Sequence, residues 1–141
     1  MIDFEKLRPK IAEIAEKKKL SLLILYGSQV TGKARNDSDI DIVALGKNPL
    51  HFKDITDIIN DFSDLLESDK IDVKSLHFTD PLFRFQVMRD GILLYGDRKN
   101  FLSFKAYAFR DYHDSKDLFV LRDLLIKKRI QNLKSSKDAK E

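Results

Sequence analysis

Two aspartates spaced one residue apart, Asp39 and Asp41, constrain this chain more than any other feature. They lie in Asp39-Ile40-Asp41-Ile42-Val43, whose acid–apolar alternation predicts a strand. Side chains at i and i+2 of a strand point to one face, so the two carboxylates converge on a single point. Carboxylates held that close repel unless something cationic sits between them. The usual solution is a divalent metal with hard oxygen ligands, and Mg²⁺ typically shares its shell with substrate phosphates. Just upstream, the apolar run from Leu22 to Tyr26 predicts a buried strand, which Gly27-Ser28 breaks.

The surroundings of this stretch are those of one ordinary globular domain. The chain has 141 residues, 43% hydrophobic and 35% charged, which suits a single modest core. With no cysteine, disulfides, thiolate zinc sites and cysteine nucleophiles are excluded. No apolar run reaches the roughly 18 residues of a membrane span, and the first residues are too charged for a signal peptide. A cytoplasmic location is the default expectation. The net charge of +3 is unevenly placed: from Lys127 onward six Lys/Arg face two Asp/Glu, leaving the remainder about one unit negative. That basic end reads as a solvated tail rather than as a clustered nucleic-acid surface.

In chain order, residues 3–19 predict a helix with Leu7, Ile11, Ile14 and Ala15 on one face. Pro9 places either the helix start near Arg8 or a kink in a longer helix. Residues 28–33 predict one or two helical turns, and Arg35-Asn36-Asp37-Ser38 a loop. The second strand ends near Gly46. Residues 52–67 carry the clearest helical period, with Phe52, Ile55, Ile58, Ile59, Phe62, Leu65 and Leu66 on one face. Ile71 to Leu76 predicts a third strand in which Asp72 and Lys74 alternate with Ile71 and Val73. Asp80-Pro81 reads as an N-cap with proline at the first helical position, and Gly91 as the close of that helix. Residues 92–95 predict a fourth strand, turned by Gly96-Asp97. The rest, residues 98–134, predicts a helical extension of the core at 1–97, with a break near His113-Asp114-Ser115 and a frayed tail over 135–141. Its aromatic cluster, from Phe101 to Tyr112, is expected to cover the sheet. Its aliphatic stripe, from Leu118 to Leu125, exceeds what so small a sheet needs and points to a partner.

Simpler readings of the central stretch fail on particular residues. Gly27 to Lys33 satisfies the G-x-x-x-x-G-K of a P-loop, but Ala34 lacks the hydroxyl that motif uses to hold Mg²⁺. Asp37, Asp39 and Asp41 occupy alternate positions of a calcium loop, but Ile42 and Asn48 stand where glycine and glutamate are required. A plain edge strand does not explain two aspartates on one face, since aspartate is depleted in strands. Nor does it explain a third, Asp72, at the start of a later strand.

Gly27-Ser28, ten residues, then Asp39-Ile40-Asp41 on a strand resembles the nucleotidyltransferase superfamily founded on DNA polymerase beta. Gly32 and Ser38 fall in the same register. The small size looks like the minimal nucleotidyltransferase (MNT) subfamily, many of whose members are antitoxins paired with a HEPN-domain RNase toxin. The resemblance implies an α/β fold, a small mixed sheet flanked by helices. It also implies Mg²⁺-dependent transfer of AMP from ATP to a protein hydroxyl, a tyrosine of the toxin. Two metals clamp the in-line displacement in such chemistry. Asp39 and Asp41 would bridge both ions, and Asp72 would complete the shell at the attacking hydroxyl. Gly27, Ser28, Lys33, Arg35 and Ser38 would serve the nucleotide. Nothing in the residues selects the base. Two rivals stay open: an antitoxin that works by occlusion through its C-terminal helix, and nucleotidyl transfer to a small molecule. The aliphatic stripe leaves a toxin subunit or a second copy of the chain as its occupant.

Overall fold

The apolar run ahead of Gly27 forms strand β1 (Leu20–Tyr26), buried along most of its length. The acid–apolar alternation forms β2 (Ile40–Gly46), with Asp39 as the extended residue leading into it. Strands β3 (Ile71–Ser75) and β4 (Ile92–Tyr95) complete a four-stranded sheet in the order β3-β2-β1-β4. Strand β1 runs antiparallel to both β2 and β4, while β2 and β3 are parallel, so the sheet is mixed as expected. This computed structural model describes residues 2–31 and 38–139. The expected site residues Lys33 and Arg35, with Gly32, lie outside the described residues.

Helices cover both faces. Helices α1 (Phe4–Lys17) and α3 (Phe52–Leu66) send Ile11, Ile14, Ala15, Ile58 and Phe62 onto one face, against Leu23, Leu25, Ile42 and Val73. Ile58 and Phe62 are fully buried, each worth roughly 1.5–3 kcal/mol relative to exposure. At the end of α1, Lys18 bridges Asp57 at 2.6 Å and Asp54 at 3.5 Å and so ties the two helices together. The other face is covered by α4 (Pro81–Asp90) and the first half of α5 (Arg98–Ala139). There Val87, Met88 and Ala108, with Phe83, Phe101, Phe104 and Phe109, pack on Leu22, Ile24 and Val43. Of the aromatic cluster, Phe101, Phe104 and Phe109 thus cover the sheet, whereas Tyr107 is half exposed and Tyr112 stacks on Phe85 of α4. A single-turn helix, α2 (Ser28–Thr31), follows β1.

Of the two readings of Pro9 the structure bears out the longer helix, while the break expected in the last helix is corrected. Helix α1 starts well before Arg8, capped by Asp3, whose carboxylate accepts from the Glu5 and Lys6 amides, so Pro9 lies inside it. One lost backbone bond is tolerated where Ile11, Ile14 and Ala15 anchor the helix to the core. Gly91 closes α4 as expected, its amide donating to the Val87 carbonyl, in extended backbone (φ −70°). Glycine is needed there for space, because a Cβ would collide with Ile24 Cγ2 and the Val87 carbonyl. Helix α5 is unbroken at His113-Asp114-Ser115 and runs to Ala139, past the expected start of a frayed tail at 135. No glycine or proline interrupts it, and the polar residues at 113–115 cost only tenths of a kcal/mol each at mid-helix. At 42 residues it spans roughly 63 Å, and every residue from 120 to 137 is exposed.

Candidate active site

The site is assembled by strand register. Asp41 and Asp72 are direct neighbours across the parallel β2–β3 pair, and Tyr26 is the neighbour of Asp41 across the antiparallel β1–β2 pair. Paired residues share a face, so Tyr26, Asp41 and Asp72 stand in a row across three strands. Asp39, two residues before Asp41, adds the third carboxylate at the entrance to the same face. Period-2 alternation keeps Ile40, Ile42, Ile71 and Val73 in the core beneath the opposite face.

The electrostatics follow from this crowding. The Asp41 carboxyl is pushed above the ordinary carboxylate range, first by burial and then by the charges of Asp72 and Asp39. Lys74, two residues beyond Asp72 and on the same face, works in the opposite direction; its Nζ lies 3.9 Å from Asp72 Oδ2. The phenol of Tyr26 is pushed up to about 12, by burial and then by Asp41 and Asp72, so it stays protonated at any physiological pH.

Gly27 closes one side of the carboxylate row. Its φ of +80° is a left-handed conformation that L side chains seldom adopt. A Cβ built on it would lie 2.5 Å from Asp41 Oδ2. Gly27 thus keeps clear the space into which Asp41 points, and its carbonyl accepts from the Val30 amide to start α2. Ser28 is the first residue of that turn, and Ser38 directly precedes Asp39. On the far side Phe83, from α4, meets Tyr26 edge-on at 5.7 Å, and Lys74 lies over the Phe83 ring at 5.6 Å.

The donor set suits a hard divalent ion: three carboxylates on one face, mutually repelling, with no soft ligand near them. Among the described residues no three His, Cys, Asp or Glu side chains close into a ready-made metal cage. Magnesium does not require one, because it is generally held by one or two carboxylates with water and substrate phosphates filling the rest. The residues present therefore fit magnesium delivered together with a nucleotide.

Tyr26, Phe83 and Lys74 were not among the candidates read from the sequence. For Lys74 a signal was present: the spacing that unites Asp39 with Asp41 also unites Asp72 with Lys74. Phe83 had none, because it reaches the site only through the packing of α4 on the sheet.

The family profile described as polymerase beta, nucleotidyltransferase matches residues 9–100, which hold every carboxylate of this cluster. The chain belongs to that nucleotidyltransferase family. No protein of curated function matches its sequence. Among solved structures, this nucleotidyltransferase is similar to a chain of a toxin–antitoxin complex with AMP-PNP. The two are 24% identical with a TM-score of 0.70, over 84% of this chain and 98% of that one. It is also similar to a chain of the tri-AMPylated Shewanella oneidensis HEPN toxin in complex with an MNT antitoxin. There the identity is 21% and the TM-score 0.65, over 88% of this chain and 99% of that one. A chain of the MntA–HepT toxin–antitoxin is 22% identical, with a TM-score of 0.65 over 86% and 98%. These likenesses establish a common fold along nearly the whole of the solved chains.

Proposed function

We propose that this nucleotidyltransferase moves AMP from ATP to a tyrosine hydroxyl of a HEPN-type toxin and thereby acts as its antitoxin. The observation that carries the reading is the register that sets Asp41 beside Asp72, with Asp39 two residues away, on the face that Gly27 keeps open. The similar structures with AMP-PNP and with a tri-AMPylated HEPN toxin support ATP as donor and a toxin as acceptor.

Asp39, Asp41 and Asp72 would hold magnesium, whose contribution when bound is Lewis-acid neutralisation of charge on the attacking oxygen and the leaving pyrophosphate. The chain supplies the rest. A bond forms between the acceptor oxygen and the α-phosphorus as the bond to the pyrophosphate oxygen breaks. Asp72, on the edge strand β3, would receive the acceptor's proton. Gly27 allows the triphosphate to approach the backbone, and the Ser28 hydroxyl offers it a donor. Lys33, Arg35 and Ser38 complete the nucleotide's surroundings in this reading. Nothing in the described residues reads the base.

A second reading, neutralisation by occlusion, has its own observation. Leu121, Leu124, Leu125, Ile126, Ile130 and Leu133 on α5 are each roughly half exposed or more, with no other element among the described residues covering them. One experiment separates the two. The purified chain is incubated with a HEPN-domain toxin and α-labelled ATP, and label on the toxin is followed for wild type and Asp39→Asn. Label with wild type only, together with loss of protection from the toxin in cells carrying Asp39→Asn, supports modification. Full protection by Asp39→Asn would make occlusion the mechanism.

A further inference from the structure

The one cation drawn into the carboxylate cluster among the described residues is Lys74, and neither the family signature nor the proposed chemistry uses it. Its placement is specific. It stands two residues after Asp72 on the same face of β3, beside Val43 in the β2–β3 register, one step deeper into the sheet than the carboxylates. Its Nζ reaches back to 3.9 Å from Asp72 Oδ2, and it also stabilises the charge on Asp41. The ammonium also lies 5.6 Å over the Phe83 ring, and that ring meets Tyr26 edge-on. These contacts cross three elements, β1 through Tyr26, α4 through Phe83 and β3 through Lys74.

We propose that Lys74 is a positioning residue that stands in for the divalent ion: it balances the Asp72–Asp41 pair while the site is metal-free and must be displaced from it when metal enters. This rests on the reading of Asp39, Asp41 and Asp72 as the metal-holding carboxylates. The physical argument is one of charge. Three carboxylates on one face are unfavourable without a cation, and a single ammonium meets part of that need while opposing a second, doubly charged occupant. As an exposed, long ion pair it adds little to folding stability. Its effect falls on metal affinity, where the whole charge of the ion is at stake. Removing the ammonium should therefore tighten metal binding, whereas removing a ligand or an ordinary surface lysine should not.

The test is Mn²⁺ binding without nucleotide, followed by loss of the free-ion spin-resonance signal, on full-length wild type, K74Q, K74R and Asp39→Asn. K74Q should bind Mn²⁺ about three- to tenfold more tightly than wild type, a modest change because the lysine is partly screened by solvent. K74R, which keeps the charge, should stay near wild type. The melting temperature of K74Q should lie close to that of wild type without metal and rise more on adding Mn²⁺, a coupling that a purely structural lysine would not produce. Equal affinity in K74Q and wild type, including no measurable binding by either, would overturn the inference. Asp39→Asn guards the underlying reading: Mn²⁺ binding that is unchanged in this variant would place the metal elsewhere, and the failure would then belong to the site and not to Lys74.

Discussion

Gly27→Ala is the sharpest perturbation of this site, because it should separate catalysis from folding. Alanine in left-handed backbone costs about 1–2 kcal/mol relative to glycine, which in a domain of this size lowers the melting temperature by about 3–8 °C. The new Cβ meets Asp41 Oδ2 at 2.5 Å where ordinary contact begins near 3.4 Å, so the carboxylate must retreat by about 1 Å. The displaced atoms are the end of a side chain, which can rotate away at little further cost in stability. For catalysis the same rotation is severe, since a 1 Å misplacement of a reacting or coordinating group costs on the order of 10²-fold. Transfer of label from α-labelled ATP to the toxin, measured well below the melting temperature, should thus fall about a hundredfold in a protein that is almost fully folded. Transfer within about threefold of wild type would refute the claim that Gly27 exists to clear space for Asp41. A loss that merely tracked the unfolded fraction would refute it equally.

Asp41→Asn should abolish transfer, by ~10²-fold or more, yet help the fold. The Asp41 carboxyl sits above its ordinary value, so the native state keeps a proton that the unfolded chain has lost, and stability falls as pH rises through that interval. The variant should therefore melt at or above wild type at pH 7, with the advantage gone below the ordinary carboxylate value of 3.8; a variant less stable than wild type at pH 7 would contradict the cause assigned. Ser28→Ala should lower turnover more than thermal stability, and a large drop in melting temperature with unchanged ATP turnover would make Ser28 structural only. Truncation after Ser115 keeps the contacts of Phe85 with Tyr112 and of Arg84 with Asp111, so a folded core that no longer co-purifies with the toxin is expected. A truncated chain that labels the toxin at the normal rate would show that α5 beyond 115 is not the docking surface.

Much of this architecture follows from local sequence, because its causes are local. Alternation alone puts Asp39 and Asp41 on one face, the 3.6-residue period sets α3, and the Asp80-Pro81 pair begins α4 with the Asp80 carboxylate 2.8 Å from the Leu82 amide. Elsewhere neighbours outside the local pattern decided. Pro9 is carried inside α1 because packing on the sheet outweighs one missing hydrogen bond. Gly91 is glycine because Ile24 lies against it, not because of its own backbone. The pairing of Asp41 with Asp72 belongs to a parallel register closed across α3, which no pattern within either strand specifies. The same holds for the space Gly27 leaves to Asp41, and for Tyr26, Phe83 and Lys74 meeting around the carboxylates. The sequence by itself determined which residues could carry the chemistry and on which side of a strand they lie. Tertiary structure decided which of them meet, because contact between different elements is set by how sheet and helices pack together, and only the folded chain fixes that.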